Sequence, residues 1–461
     1  MLCTNLTESK RIGITRMSED GSKKIIRLGM LGLGTVGAGV AKILRESRPP
    51  LLDKTGLDIR LHKVAVRDLK KARALALDPA ILTTDSMSVA TDPDVDILVE
   101  VIGGIEPART LLTAALKAGK SVITANKALL ATHGKELFEL ALANYTSIGF
   151  EASVCGGVPV VDAIRDGLVA NRIESIHAIL NGTTNYILTR MIQSGAAYAQ
   201  ALYEAQSKGY AEADPSTDVK GIDAGHKLTI LSNLAFHSIF DFAEAHIEGI
   251  DNVNIDDVRF AGELGYTLKL LGIAKRRIPG ADPEELPGGL ELRVHPTLIP
   301  NTHPLANVRD VFNAVLVRGD ATGEVMLYGR GAGMMPTASA IIADVVDAAR
   351  GSARQAFTKL QFFQNPRADL PVIPMSKTRS RYYVRFRVAD RPGAMGKIAS
   401  LLGEMGVSIA SVIQKEPHES GDVPIVMLTH NTIEERFQKA LCEIEKLPFV
   451  HKPSCFFRVE D

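Results

Sequence analysis

Ile25-Ile-Arg-Leu-Gly-Met-Leu-Gly32-Leu-Gly34-Thr-Val-Gly37 decides the fold of the N-terminal region. An apolar run of strand length enters a G-x-G-x-x-G turn, and an apolar-periodic helix follows from about Thr35 to Arg45. The glycine pattern alone is a weak signal. Set between a strand and a helix, it is the fingerprint of a dinucleotide-binding unit. Gly32 permits the tight turn, Gly34 lets a pyrophosphate approach the backbone, and Gly37 lets the helix pack closely on the sheet. The positive end of the helix dipole then faces the phosphates. The competing reading is a glycine-rich turn without a ligand.

Working outward, Ile59 to Val66 reads as a second strand, closed by Arg67-Asp68-Leu-Lys70-Lys71 and followed by Arg73. An acid at this strand end suits the ribose 2′-hydroxyl of NAD, whereas an arginine accommodates the 2′-phosphate of NADP. Arg67 stands first, which favours NADP; Asp68 leaves NAD open, and a solvated basic loop is the plainer alternative. Val95 to Ile102 is the next strand, ending in Gly103-Gly104. A helix from about Pro107 to Lys117 and the strand Ser121 to Thr124 complete another β-α-β unit, closed by Ala125-Asn126-Lys127. A lysine there sits on the carboxyl-end rim of a parallel sheet, where ligands bind; a solvated loop lysine is the alternative. In Glu151-Ala-Ser-Val-Cys155-Gly-Gly157-Val-Pro159 a carboxylate enters a glycine-rich turn rich in carbonyls, a donor set for a hard cation or simply a tight connection. Cys155 reads as a small core residue, since no histidine nearby is placed to activate it.

Composition narrows the class. The 461 residues, enough for two or three domains, are 46% apolar and 23% charged with zero formal net charge. That balance argues against nucleic acid or a polybasic membrane surface as partner. No apolar run reaches the roughly 18 residues of a membrane span. Residues 1–24 are expected to be a flexible leader rather than a signal peptide. Cys3, Cys155, Cys442 and Cys455 show no metal-binding spacing or disulfide framework, which points to a reducing cytoplasm.

A second stretch carries chemistry: Gly209-Tyr-Ala-Glu212-Ala-Asp214-Pro-Ser-Thr-Asp218-Val-Lys-Gly221-Ile-Asp223-Ala-Gly225-His-Lys227. Asp214-Pro215 is a helix start, and a helix from there to about Phe236 places Asp223 and Lys227 at i and i+4 on one face. Gly221 and Gly225 lie roughly opposite, where another backbone is expected to pass. In a straight helix Asp218 projects about 140° from Asp223, away from that face. The face is either an exposed ion pair or a site for a molecule with both a carboxylate and an ammonium group.

Strands are expected at 170–181, 291–296, 313–318 and 324–328, and an amphipathic helix from Val258 to Leu271. Gly329-Arg-Gly331-Ala-Gly333 opens a helix over 338–349 that returns to the dinucleotide domain. A proline-bearing linker spans 365–380, and residues 381–461 read β-α-β-β-α-β, the ferredoxin-like order.

Gly209 to Lys227 resembles the signature of homoserine dehydrogenases. The resemblance extends over the fingerprint glycines, Thr124-Ala-Asn126-Lys127, Asn181-Gly-Thr-Thr-Asn185-Tyr186 and Gly331-Ala-Gly333. The tail, with Asp390-Arg-Pro-Gly393, resembles an ACT domain, an amino-acid-sensing module. The resemblance implies a Rossmann domain at 25–150, an α+β catalytic and dimerisation domain at 151–364 and the ACT domain at 381–461. It implies reversible reduction of L-aspartate 4-semialdehyde to L-homoserine with NADP, NAD being possible, on the route to threonine, methionine and isoleucine. Lys227 would be the proton donor and acceptor, Lys127 would assist at the reacting oxygen, and Glu212, Asp223 and Asp218 would hold substrate. Gly32, Gly34, Thr35, Val36, Gly37, Arg67, Gly103, Lys127 and Gly333 would line the cofactor. A sodium ion would take Glu151 with carbonyls of Val154, Gly156 and Val158. A cytoplasmic homodimer or homotetramer, with threonine at the ACT domain, is expected. The rivals are an aspartate-semialdehyde dehydrogenase-like enzyme and a non-catalytic amino-acid-sensing protein.

Overall fold

The computed structural model describes residues 24–70, 77–278, 280, 288–354, 370–414 and 422–460. The expected leader up to residue 23, Lys71, Arg73 and the start of the linker lie outside them. The chain divides into two compact units, the first holding residues 24–129, 133–152 and 333–354 of the described chain.

In the first unit the order is β1 (Lys24–Leu31), α1 (Thr35–Glu46), α2 (Arg48–Thr55), β2 (Leu57–Ala65), β3 (Leu82–Thr83), α3 (Ser86–Ala90), β4 (Ile97–Glu100), α4 (Ala108–Lys117), β5 (Ser121–Thr124), α5 (Lys127–Ala143) and β6 (Ile148–Gly149). The strands form one parallel sheet ordered β3-β2-β1-β4-β5-β6. The order reverses between β1 and β4, so the crevice at their carboxyl ends is where a doubly wound sheet takes its ligand. The apolar run of β1 is dictated by burial on both faces: Leu28, Met30 and Leu31 are fully buried. The helix Met334–Arg350 packs on α1, where a Cβ on Gly39 would stand 3.0 Å from that of Ala338.

The second unit runs α6 (Val160–Asp162), β7 (Ile173–Ile179), α7 (Gly182–Ser194), α8 (Tyr198–Ser207), α9 (Ser216–Val219), α10 (Ile222–Phe236), β8 (His246–Ile247), α11 (Ile255–Glu263), β9 (Tyr266–Arg277), β10 (Gly289–Pro300), β11 (Phe312–Gly319) and β12 (Gly323–Arg330). After Met334–Arg350, which is α12, come β13 (Arg379–Ala389), α13 (Ala394–Glu404), β14 (Ile409–Gln414), β15 (Asp422–Thr429), β16 (Thr432–Ile433), α14 (Glu434–Ile444) and β17 (Val450–Val459). The last seven elements are a ferredoxin-like unit whose own core includes Tyr382, Phe386, Met427 and Phe437.

That unit is not a bead on a string. Its strands continue the preceding sheet in the order β12-β11-β7-β9-β10-β17-β13-β15-β14, with β10 and β17 parallel through Thr297–Arg458 and Leu298–Val459. Buried ion pairs line the seam. Arg293, 1% exposed, holds Glu291 and Glu460; Arg458 holds Glu434 and Glu248; Arg385 holds the fully buried Asp257. Removing one partner of such a pair strands a charge in low dielectric, which costs several kcal/mol, ~3–5.

Two expected helices are corrected. The helix foreseen over Val258 to Leu271 ends at Glu263, because Gly265 takes φ 84° and the chain leaves as β9. Leu268 to Ala274 are buried without interruption, so apolar periodicity could not distinguish strand from helix there. The helix foreseen from Pro215 to Phe236 is broken at Gly221, φ 79°, into α9 and α10.

Candidate active site

The first unit supplies a cleft of about 600 Å³ lined by Gly32, Gly34, Thr35, Arg67, Asp68, Gly103 and Met334, among others. Gly32 has φ 101°, and a Cβ there would stand 2.9 Å from the Val101 carbonyl oxygen. A Cβ on Gly37 would overlap the Gly32 carbonyl oxygen, whereas one on Gly34 would meet nothing within 4 Å. Gly34 therefore leaves its space to the cleft. An elongated anionic ligand fits this arrangement, with α1 opening at Thr35 to direct N–H groups at it. Val36 packs its side chain against the core, and Gly333, φ 126°, caps α12 beside Met334.

Two residues of this unit escaped the sequence reading. Glu100, fully buried at the end of β4, accepts the N–H groups of Ile102 (2.9 Å) and Gly103 (3.0 Å) and the Thr124 hydroxyl (2.6 Å). It shapes the Gly103 turn, and an acid closing an otherwise apolar strand was its only signal. Asn126 caps α5 by accepting from Leu129 N–H (3.2 Å) and donates to the Gly104 carbonyl (2.6 Å). Lys127 consequently opens a helix of 17 residues, not a loop, and is half-buried.

The second unit supplies the charged cluster. Asn181 caps α7 through Thr184 N–H (2.8 Å) and donates from Nδ2 to Asp218 Oδ1 (2.8 Å) and Asp223 Oδ2 (2.9 Å). Lys227 Nζ donates to the same Asp223 oxygen (2.7 Å) and to the Leu180 carbonyl (2.7 Å). The left-handed turn at Gly221 swings α9 out of line, which brings Asp218 to the amide that also holds Asp223. The straight-helix expectation that kept Asp218 apart is thereby overturned. Asn181 was legible only as part of a motif; a strand-end asparagine before a helix was its signal. Glu212 lies on the α8–α9 loop, exposed and outside these bonds.

The electrostatics follow from burial and partners. Burial pulls the Lys227 ammonium down, but Asp223, Cys155 and Asp218 outweigh it, so its pKa is raised. Burial is also the largest influence on Asp218, and it raises that carboxyl despite the Asn181 hydrogen bond. Two acids and a cation meet around the Asn181 amide, a set of groups suited to a polar, zwitterionic molecule.

The remaining candidates are local. Glu151 is 2% exposed at the start of a 3₁₀ turn, and its N–H donates to Asp344 Oδ2 of α12 (3.0 Å). Cys155 is buried with φ 53°, and its sulfur accepts from Asn313 Nδ2 (3.4 Å), so it is a packed core residue. The Val158 carbonyl already accepts from Val160 N–H (2.7 Å).

Comparison with known proteins agrees with both halves. Residues 32–151 match the family model of the homoserine dehydrogenase NAD binding domain, 159–346 that of homoserine dehydrogenase, and 382–449 that of the ACT domain. A homoserine dehydrogenase of Neisseria gonorrhoeae is 43% identical over 441 residues, covering 95% of this chain and 99% of the relative. The crystal structure of a homoserine dehydrogenase from Thiobacillus denitrificans is 46% identical, with TM-score 0.87 over 95% of this chain and 99% of that one. A hyperthermophilic archaeal homoserine dehydrogenase, solved in complex with NADPH, is 27% identical with TM-score 0.58, covering 70% of this chain and 98% of its own. The chain belongs to the homoserine dehydrogenase family, oxidoreductases that interconvert L-homoserine and L-aspartate 4-semialdehyde with a nicotinamide cofactor, and it carries a C-terminal ACT domain.

Proposed function

We propose that this chain reduces L-aspartate 4-semialdehyde with NADPH, that Lys227 protonates the product oxygen, and that Asp223 with Asp218 and Glu212 holds the substrate ammonium. The observation that carries the reading is the Asn181–Asp218–Asp223–Lys227 cluster. A lysine kept charged by a neighbouring acid is a ready proton donor for the alkoxide that develops on the carbonyl oxygen as hydride reaches the carbon. Lys127 assists at the same oxygen, its position at the start of α5 being set by the Asn126 cap. The dinucleotide supplies the hydride when bound; Gly32, Gly34, Gly37, Thr35, Val36, Gly103 and Gly333 serve its cleft. Arg67 beside that cleft supports NADP as the preferred form, as does the archaeal relative's NADPH. A monovalent cation, sodium for preference, belongs to the reading at Glu151 and the carbonyls of Val154, Gly156 and Val158, on the donor chemistry of that turn.

Residues 25–150 serve the cofactor, 151–364 the substrate and subunit pairing, and 381–461 the effector, threonine. A cytoplasmic setting suits four cysteines with no metal-binding or disulfide spacing; no helix among the described residues is long and apolar enough to cross a membrane. Initial rates with homoserine and each dinucleotide, with and without threonine, test the whole reading. Turnover with both reactants and inhibition by threonine are expected; absence of dinucleotide-dependent turnover in pure protein overturns it. The inhibition is to be measured on the intact chain, because removing 381–461 strips β17 from β10 and leaves Arg293 without Glu460. Arg67→Ala should raise KM for NADPH about tenfold while KM for NADH stays near its starting value, as expected for loss of one charge-assisted phosphate contact.

A further inference from the structure

The seam between the ferredoxin-like unit and the preceding sheet ends on the acid cluster. Arg458, on β17, is 2% exposed and grips Glu248 with two hydrogen bonds, Nη1 to Oε2 (2.9 Å) and Nη2 to Oε1 (3.0 Å). Glu248 follows β8, and its N–H donates to the Val294 carbonyl of β10 (2.7 Å). The chain then runs against the break between α9 and α10. Ile250 N–H donates to the Val219 carbonyl (2.8 Å), and a Cβ on Gly221 would stand 3.1 Å from the Glu248 carbonyl oxygen. A Cβ on Gly249 would overlap the Val219 carbonyl oxygen and stand 2.6 Å from Lys220 Cα. Two backbones are thus in contact with no side chain between them. One side of that contact is held by an arginine of the ACT domain, and the other is the four-residue bridge joining Asp218 to Asp223.

We infer that Glu248, clamped by Arg458, is a positioning residue that sets the angle between α9 and α10 and hence the spacing of Asp218 and Asp223. The inference rests on the reading that these two acids hold substrate, and it deepens that reading by giving the ACT domain a defined contact with them. The physical case is that the alignment of α9 is not secured by its own length. Four residues of helix are too short to be stable alone, so their direction follows from what the Val219–Gly221 backbone rests on. Any movement of β17, the strand that joins the ACT domain to the sheet, is delivered through Arg458 to Glu248 and from there to the bridge. Asp257 and Arg385 fasten the same domain elsewhere but touch α11, away from the break. Arg458 and Glu248 are therefore the pair to test.

Glu248→Gln is the working variant. It leaves Arg458 paired with Glu434, whereas removing Arg458 would strand Glu434 and endanger folding. Gly249→Ala presses directly on the Val219–Lys220 backbone without touching the ACT domain. In the full chain both variants should raise KM for homoserine about five- to tenfold, with kcat and KM for the dinucleotide within about twofold of wild type. Glu248→Asp, which keeps the charge, should recover part of the lost affinity. A double variant of Glu248→Gln and Asp218→Asn should show less than the product of the single effects, since both act on one geometry. An unchanged KM for homoserine in Glu248→Gln overturns the inference, as does a fall in thermal midpoint or active fraction at constant KM. Asp223→Asn serves as the control: if it leaves KM for homoserine unaltered, the substrate-holding reading itself fails, and this result is distinct from failure of the Glu248 variant alone.

Discussion

Two buried lysines of the second unit, Lys227 on α10 and Lys269 on β9, have opposite electrostatic fates. Lys227 is 8% exposed and Lys269 1%, so burial alone lowers the pKa of both. Lys227 donates to a carboxylate, Asp223, at 2.7 Å, and its pKa is raised. Lys269 donates to neutral oxygens, Asn185 Oδ1 (3.1 Å) and the Val308 carbonyl, and burial with a nearby Arg309 lowers it to about 8. The partner, not the depth, decides the charge. One lysine is held as an ammonium by a carboxylate; the other ties β9 to the loop before β11, with its pKa lowered toward neutrality.

The sharpest way to break this contrast is to remove each amine. Lys227→Ala should lower kcat about 100-fold or more with dinucleotide binding nearly normal, whereas Lys269→Met should leave kcat within a few-fold; steady-state kinetics with a dinucleotide titration separates the two. A Lys227 variant with wild-type kcat ends its assignment as proton donor.

The next effect comes from taking away the counter-charge. Asp223→Asn should raise KM for homoserine roughly 30-fold, the scale of one lost charge-assisted contact in a buried site. It should also let burial act on Lys227 unopposed by its nearest acid. With the pKa raised in wild type, Lys227 is protonated at neutral pH, ready for semialdehyde reduction and unready as a base for homoserine oxidation. Oxidation by the wild-type protein should therefore climb with pH well into the alkaline range, and the variant's profile should move toward neutrality. A profile unchanged by the substitution would detach Asp223 from Lys227.

The smallest effect concerns stability. A lysine whose folded pKa lies below its unfolded value favours folding fully above the unfolded pKa and loses that contribution as pH falls through the folded one. For Lys269 the window runs from about 10.5 down to about 8. Denaturant midpoints should accordingly show a rise with pH across that window that is shallower in Lys269→Met, by about 3 kcal/mol in all. Identical slopes would show that Lys269 stays charged in the fold.

How far the residues alone could lead is seen in particular elements. The strand–glycine–helix start was read correctly because its constraints are local: a tight turn, a pyrophosphate approach and close helix–sheet packing each call for glycine within six positions. The β-α-β-β-α-β tail was equally legible, since strand and helix periodicities alternate, with Gly393 opening the first helix and Gly406 closing it. The failures occurred where long-range packing competes with local pattern. Leu268 to Ala274 are buried on every side, so periodicity held no information about strand or helix. The break at Gly221 was hidden because its cause, the Glu248–Gly249 backbone lying against it, is more than 20 residues away. For Lys127 the rim and a solvated loop both stayed open, because the contact that fixes Asn126 on its other side, to the Gly104 carbonyl, comes from more than 20 residues away.

The amino-acid sequence by itself determined the family, the two α/β architectures and the identity of the acids and amines, because these depend on residue type and near-neighbour spacing. Tertiary structure alone decided that Asp218 joins Asp223 on one asparagine, that Lys227 stays charged, and that the ACT sheet is continuous with the catalytic one. Each of those depends on which backbone or carboxylate arrives from a distant part of the chain, and burial makes that arrival decisive.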